Sequence, residues 1–296
     1  MNYCLYPGCS LHSTGLEYGL SSRAVLKHLE FEINELEAWN CCGASSAHAL
    51  SHTLGLALPA RVIALAQSAG GDLIVPCAAC FNRLKGADHT LRTDQAQRIQ
   101  IQSLVGFEYR EGLSIRPLLA VLYEDYGLQK ITAQVKIPLN GLRVVAYYGC
   151  LLLRPPEITR FDDPDHPQVM AALLTALGAE VQPWSYATEC CGAGLSLSRA
   201  DIVQKLVGRL AERACEAGAE ALVTACPLCQ VNLEMRQTCA PKLPAFYFTE
   251  LLGLAFDLPQ AESWWPKHLI DPRPLLSSLG LYRIPEPVQY FQPDMF

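Results

Sequence analysis

The chain has 296 residues, half of them hydrophobic and 18% charged, with a net charge of −6. This balance excludes a disordered chain and offers no basic surface to nucleic acid. The most apolar region, residues 54–66, is interrupted by Pro59 and Arg61, well short of the roughly 20 apolar residues that a membrane-spanning helix needs.

In chain order, residues 3–6 read as a short strand that delivers Cys9 through a Pro7-Gly8 turn. Residues 14–30 look helical, and residues 32–39 read as a second strand ending at Cys41. After Cys41-Cys42-Gly43 comes a helix-forming stretch over residues 56–68, closed by Gly70-Gly71. A buried strand over residues 72–75 then runs into Cys77-Ala78-Ala79-Cys80. Residues 85–138 have no counterpart elsewhere and read as helices and a crossover. The order then repeats: a strand over 142–148 ending at Gly149-Cys150, a helix over 166–177, a strand over 180–184 and Cys190-Cys191-Gly192. A helix over 201–217 and a strand over 221–224 lead to Cys226-Pro227-Leu228-Cys229. The alternation predicts an α/β fold with mostly parallel sheets flanked by helices, and the cysteines at carboxyl ends of strands, where open sheets place ligands. The expected division is 1–138, 139–262 and an irregular C-terminal arm, 263–296, rich in Pro and aromatics such as Trp264, Trp265, Tyr290 and Phe291.

Cys41, Cys42, Cys77 and Cys80 map onto Cys190, Cys191, Cys226 and Cys229 at a constant offset of 149 residues. Cys9 and Cys150 are 141 apart, so the second half carries an insertion that residues 154–167 can hold. Thirteen cysteines is an odd number, which argues against a fully paired disulfide framework. Met1-Asn2-Tyr3-Cys4-Leu5 shows neither the basic nor the long apolar region of the secretory type. The expectation is a cytoplasmic chain, with any membrane association made through partners.

Buried thiolates need a strongly positive guest. Zinc or a cubane [4Fe-4S] cluster takes four ligands and leaves a fifth cysteine idle in each half; a redox dithiol leaves three unexplained. Five cysteines, twice, point to an unusual iron–sulfur cluster, with zinc in one half as the alternative. Gly43 and Gly192 are candidate cofactor-binding residues: they permit a positive φ and leave room for a bulky inorganic core.

One cysteine, a Cys-Cys-Gly and a CxxC, present twice, resemble the B subunit of heterodisulfide reductase, founder of the CCG-domain family. The resemblance covers Cys9 to Cys229 with all ten cysteines present. It implies two pseudo-symmetric CCG domains whose clusters face one another across a cleft. Cys9, Cys41, Cys42, Cys77 and Cys80 would hold one noncubane [4Fe-4S] cluster, and Cys150, Cys190, Cys191, Cys226 and Cys229 a second. It also implies an oxidoreductase subunit that reduces, or in reverse oxidises, a disulfide or related sulfur-carrier substrate. Splitting a disulfide takes two electrons, and two flanking clusters can each give one. Implied partners are a ferredoxin-like iron–sulfur C subunit and a flavin-containing A subunit, since no flavin motif occurs in this chain. The alternative is a CCG-domain electron-transfer subunit that passes electrons from a dehydrogenase to a quinone or other carrier.

Outside the two motifs, Cys4, Cys215 and Cys239 read as packing residues. His48 and His52, at i and i+4, would share a helix face, as solvated or satisfied helix histidines, as proton donors to a departing thiolate, or as half a zinc site. Glu189 reads as a surface carboxylate or a proton donor. Tyr6, Tyr147 and Tyr148 read as core aromatics, with a hydroxyl near the cleft as a second possibility. Trp264 and Trp265 would mark either a subunit contact or packing of the arm on its own body.

Overall fold

The computed structural model describes residues 3–44 and 46–282. In the first half, β1 (Tyr3–Leu5), α1 (Leu16–His28), β2 (Ile33–Glu35), α2 (Ala47–Leu50), α3 (His52–Ala69), β3 (Asp72–Val75), α4 (Ala78–Thr93) and α5 (Gln95–Val105) lead to β4 (Ile115–Pro117). Helical segments follow: α6 (Leu118–Ala120) runs into a π-helical turn over Val121–Gly127, and Gly127, at φ 90°, turns the chain into α7 (Leu128–Gln134). The second half runs through β5 (Arg143–Tyr147), α8 (Pro156–Thr159), α9 (Val169–Ala176), β6 (Glu180–Val181), α10 (Ala200–Glu216), β7 (Ala221–Thr224), α11 (Pro227–Met235), β8 (Ala245–Tyr247) and α12 (Phe248–Ala255). Last comes α13 (Arg273–Ser278).

Each half is one four-stranded parallel sheet, ordered β2-β1-β3-β4 and β6-β5-β7-β8. Leu73, Ile74 and Val75 on β3, and Leu222 and Val223 on β7, have no exposed surface. Such unbroken apolar runs are expected where helices cover both faces of a parallel sheet. The parallel α/β architecture and its duplication are therefore as the sequence predicts.

Several sequence expectations change. Residues 85–138 contain β4, which pairs with β3 in parallel just as β8 pairs with β7. Its three residues, Ile115-Arg116-Pro117, give no strand signal; at a sheet edge the proline removes no ladder hydrogen bond. The strands expected over 32–39 and 180–184 shrink to β2 and the two-residue β6. The expected insertion lies between β5 and α9: residues 151–168 separate Cys150 from α9, where residues 10–15 separate Cys9 from α1. The C-terminal arm is not irregular through residue 282. It holds 3₁₀ turns over Pro259–Ser263 and Trp265–Lys267, and then α13. Trp264 and Trp265 are each 1% exposed and pack on the body, with Trp265 edge-on to Phe246 at 5.9 Å. The predicted aromatics Tyr290 and Phe291 lie outside the described residues.

The halves clasp each other reciprocally. α1, which crosses from β1 to β2, packs on α12, which follows β8 of the other half; α9, which crosses from β5 to β6, packs on α6 and α7, which follow β4. At the first junction Tyr18 stacks on Tyr247 with ring centroids 4.2 Å apart, and Ser21 Oγ meets Thr249 Oγ1 at 2.7 Å.

Behind that stack lies a buried polar cluster. His268 Nδ1 is 2.8 Å from Glu234 and its Nε2 is 3.0 Å from Glu250. Burial opposes charging of His268, but the two carboxylates outweigh it and raise its pKa to about 11. The same desolvation, with Glu250 nearby, raises buried Glu17 on α1 to about 7. A carboxyl whose folded pKa exceeds its unfolded value destabilises the fold progressively as pH rises from about 4.5 through 7. The shift corresponds to something on the order of 3 kcal/mol. His268 keeps its stabilising charge throughout this range and loses it only as pH rises through about 11. Thermal midpoints measured between pH 5 and 8 should therefore fall for the native chain. They should fall distinctly less for Glu17→Gln; equal slopes would show that Glu17 carries no such charge penalty.

Candidate metal centre

Because β1, β2 and β3 run parallel, their carboxyl ends share one edge and deliver Cys9, the Cys41-Cys42 pair and Cys77 to one place. β5, β6 and β7 do the same for Cys150, Cys190-Cys191 and Cys226. Cys77 and Cys226 are the N-caps of α4 and α11, so Cys80 and Cys229 fall in each helix's first turn. Sequence reasoning ended a strand at Cys41; instead five residues intervene after Glu35, with Leu36 N donating to Leu5 O at 2.9 Å as a last ladder bond.

All ten cysteines are free thiols. Cys9 and Cys41 sulfurs are 3.5 Å apart, and Cys42 and Cys80 are 3.1 Å apart. The matching separations in the second half are 3.8 Å for Cys150 and Cys190, and 3.4 Å for Cys191 and Cys229. The two sets do not stand apart across an open cleft. The Cys77 and Cys226 thiols touch, and Ala78 N donates to Ala225 O at 3.3 Å, so both CxxC motifs share the seam between the halves.

Thiols this close share protons. Cys41 is drawn down to about 2 by hydrogen bonds from Cys42 and Cys9, and Cys190 to about 6 by one from Cys150. The Gly43 and Gly192 N–H groups also donate to these two sulfurs, at 3.4 and 3.3 Å. Cys226 is held well below the usual thiol range by contacts with Cys229 and Cys77, and by N–H groups of the first turn of α11. Cys9 and Cys150, as donors that are also partly desolvated, are pushed up. Cys42 is pushed up to about 12, and Cys77, Cys80 and Cys229 well above the usual thiol range, by neighbouring thiols and by burial, so most of the set holds protons that a cationic guest would displace.

The glycines divide the work differently from the sequence expectation. Gly43 and Gly192 do have positive φ, 77° and 78°. Their open sides face protein rather than the sulfurs: a Cβ would meet Ala47 Cβ at 2.7 Å or Leu206 Cδ1 at 3.0 Å. The glycines that leave space beside sulfur are Gly8 and Gly149, where a Cβ would lie 3.0 Å from Cys80 Sγ and 3.2 Å from Cys229 Sγ. Their shared offset of 141 from each other, the same as Cys9 to Cys150, was the available signal.

Tyr6 and Tyr147 sit at that offset too. Tyr6 donates to the carbonyl of Asn40 at 2.8 Å and Tyr147 to that of Glu189 at 2.7 Å, each pinning the residue before a Cys-Cys pair. The Tyr148 hydroxyl accepts from Met170 N at 2.5 Å. These hydroxyls are engaged within the fold, as the core reading expects; Tyr148 also lines the cavity that holds the second half's cysteines. Glu189 is exposed, and Cys4 is core. Cys215 and Cys239 correct the packing expectation: Cys215 is exposed and Cys239 half-buried.

All five second-half cysteines line a cavity of about 210 Å³. Residues of the first half complete it: Ala44, His48, Ala78 and Arg83. α4 reaches across to this side, where Asn82 donates to the carbonyls of Leu151 and Arg154 at 3.0 and 2.7 Å. His48 and His52 do not share a helix face. Ser51 is extended and caps α3 by accepting from Leu54 N, which separates α2 from α3 and leaves only His48 lining the cavity.

The sequence pattern of the CCG cysteine-rich domain matches the chain twice, over residues 3–85 and 144–234. The chain belongs to the CCG family. Among its relatives, the 8-methylmenaquinol:fumarate reductase membrane anchor subunit of Wolinella succinogenes is 30% identical over 91% of this chain and 97% of its own length. A protein of Archaeoglobus profundus that is named as like the heterodisulfide reductase B subunit is 30% identical over 86% of this chain and 90% of its own. The B subunit of ferredoxin:CoB-CoM heterodisulfide reductase from Methanosarcina mazei is 26% identical over 85% and 88%. A hypothetical protein of Helicobacter pylori shares the fold, with a TM-score of 0.68 at 11% identity. That match covers 90% of this chain, which spans about half (51%) of the Helicobacter chain. Among the described residues no helix is long and apolar enough to cross a membrane. Membership of the CCG family, with relatives of these kinds, supports an iron–sulfur protein with an electron-transfer role.

The space beside Gly149 gives a direct test of the second CCG site. Gly149→Ala adds a methyl against Cys229 Sγ at φ +64° and should lower the iron bound after anaerobic reconstitution by about half, the share of one of two four-iron sites. Gly86→Ala, on α4 with open space around it, should bind as much iron as the native chain. Full iron in both variants would show that the glycine is not needed beside the sulfur.

Proposed function

We propose that this chain is the catalytic subunit of a heterodisulfide-reductase-like complex, which reduces, or in reverse oxidises, a disulfide or related sulfur substrate at the seam between its two CCG domains. The observation that carries the reading is the meeting of two matched sets of five free thiols at Cys77 and Cys226. Two equivalent one-electron sites side by side suit a two-electron bond cleavage better than a linear relay, in which sites need only follow one another. The division of the chain at 1–138, 139–262 and 263–296 belongs to the same reading.

Cys9, Cys41, Cys42, Cys77 and Cys80 would hold one noncubane [4Fe-4S] cluster, and Cys150, Cys190, Cys191, Cys226 and Cys229 the other. Five cysteines in each half exceed the four ligands that zinc takes, which favours a polynuclear guest over zinc in either half. When bound, the two clusters supply one electron each, and the disulfide takes up two electrons and two protons to leave two thiols. The chain's own part is to hold the ligands by N–H groups and glycine space, and to wall the cavity with largely apolar side chains. His48 lines that cavity and is the candidate to deliver a proton to a departing thiolate. Electrons would arrive from a ferredoxin-like iron–sulfur C subunit, itself served by a flavin-containing A subunit, and the complex would work in the cytoplasm or be carried to a membrane by its partners.

The Wolinella relative supports a second reading, in which the clusters pass electrons between a dehydrogenase and a quinone. The two separate in one experiment. Anaerobically reconstituted protein should bind about eight irons, and after reduction it should be reoxidised by a disulfide with release of two thiols. Cys42→Ala and Cys191→Ala should each remove the spectroscopic signal of one cluster and keep the other. Protein that is reoxidised by a quinone analogue and by no disulfide would favour the second reading.

A further inference from the structure

Three of the thirteen cysteines lie outside the two matched sets. Cys4 is buried on β1. Cys215 and Cys239 are not buried: the first is exposed in the last turn of α10, and the second is half-buried in the loop between α11 and β8. At the offset of 149 residues they correspond to Ala66 and Thr90, so the first half has neither.

The fold brings these two together. Gly208, Ala211 and Cys215 follow one stripe of α10 at helical spacings of three and four. The loop seats on that stripe, since a Cβ at Gly208 would lie 2.6 Å from Thr238 Oγ1. Gln237 fixes the loop: its Nε2 donates to the carbonyls of Leu233 and Leu243 at 2.8 and 2.7 Å, and its Oε1 accepts from Leu243 N at 2.8 Å. Cys239 Sγ is left with two long contacts, at 3.9 Å, to Gln237 Oε1 and the Pro241 carbonyl. The Cys215 thiol lies beside it. Partial burial raises the pKa of Cys215 above the usual thiol range, and the neighbouring Cys239 thiol adds to the shift.

We propose that Cys215 and Cys239 are a reversible dithiol–disulfide pair, apart from the ten matched cysteines, which small disulfides oxidise and whose closed form clamps the second cysteine set. The exchange takes two steps. The accessible Cys215 thiolate attacks one sulfur of a disulfide RSSR, forms a mixed disulfide and releases the first thiol. The Cys239 thiolate then attacks the Cys215 sulfur, closes the protein disulfide and releases the second. Two electrons pass from the pair to RSSR, and the two cysteine protons end on the two RSH molecules. The new bond joins the end of α10 to the loop after α11, and between them lie β7, Cys226 and Cys229. Both helices also touch the Cys-Cys-Gly turn: Val203 and Leu206 of α10 lie against Gly192, and Asn232 of α11 donates to the Cys191 carbonyl at 3.3 Å. A covalent link across this segment restricts its opening. The pair acts in this way whatever the two cysteine sets reduce.

The test uses the full chain, loaded with iron and with its clusters oxidised so that they offer no electrons, treated anaerobically with bis(2-hydroxyethyl) disulfide. It should release two molecules of 2-mercaptoethanol per chain, keep its iron, and yield a linked Cys215–Cys239 peptide that dithiothreitol separates. Cys239→Ser should release one molecule and retain a mixed disulfide on Cys215. Cys215→Ser should react on the order of tenfold more slowly, because the thiol that remains is half-buried. Once oxidised, the native chain should lose iron to a ferrous chelator more slowly than before, and Cys239→Ser should show no such change. A mixed disulfide that persists on Cys215 of the native chain would overturn the pair. Thiol release undiminished in the double variant would trace the reaction to the matched cysteines and overturn it as well. A linked peptide without any change in iron release would overturn the clamp.

Discussion

Unpaired thiols packed within van der Waals range of one another are the constraint on which the rest of this structure depends. Six of the ten, Cys42, Cys77, Cys80, Cys191, Cys226 and Cys229, are nearly inaccessible to solvent, and neighbouring sulfurs lie between 3.1 and 3.8 Å apart. As thiolates without a guest they would repel one another in a medium that screens charge poorly. The fold supplies what little compensation a backbone can give: N–H groups of Gly43 and Gly192, and the first turn of α11. The remainder has to come from a cationic guest. Tyr6 and Tyr147 then hold the peptide before each Cys-Cys pair.

The seam that gathers the sulfurs is also the main structural joint. Each half contributes a crossover helix that packs on the helix after the other half's fourth strand, α1 on α12 and α9 on α6 and α7. Neither half can move relative to the other without disturbing the Tyr18–Tyr247 stack or the backbone bond from Ala78 to Ala225. A rigid joint keeps two redox sites at a fixed spacing. The buried His268 with Glu234 and Glu250 lies behind the same joint, and Glu234 also accepts from the N–H groups of Leu269 and Ile270. In this way the chain after Trp265 is tied to the second sheet.

Duplication explains the symmetric part of the site, and divergence the rest. The relatives divide in the same way: two are named for heterodisulfide reduction and one for quinol-linked fumarate reduction. Arg83 and His48 differ from the residues at the matching positions of the second half, and both come from the first half into a cavity walled by the second half's cysteines.

The sequence by itself determined the ten cysteines, their division into two sets and the parallel α/β frame. Spacing along the chain survives duplication, and buried strands such as Asp72–Val75 and Ala221–Thr224 announce themselves by unbroken apolar runs. It did not show β4, whose three residues include an arginine and a proline, or the break at Ser51 that parts His48 from His52, because such short features depend on neighbours distant in the chain. Only the tertiary structure decided that the two sets touch at Cys77 and Cys226, that Gly8 and Gly149 rather than Gly43 and Gly192 give sulfur its space, and that Arg83 joins the other half's cysteines in lining one cavity. Each of these is a contact between segments far apart in sequence, fixed by how two sheets and their crossover helices pack, and no local pattern of residues encodes it.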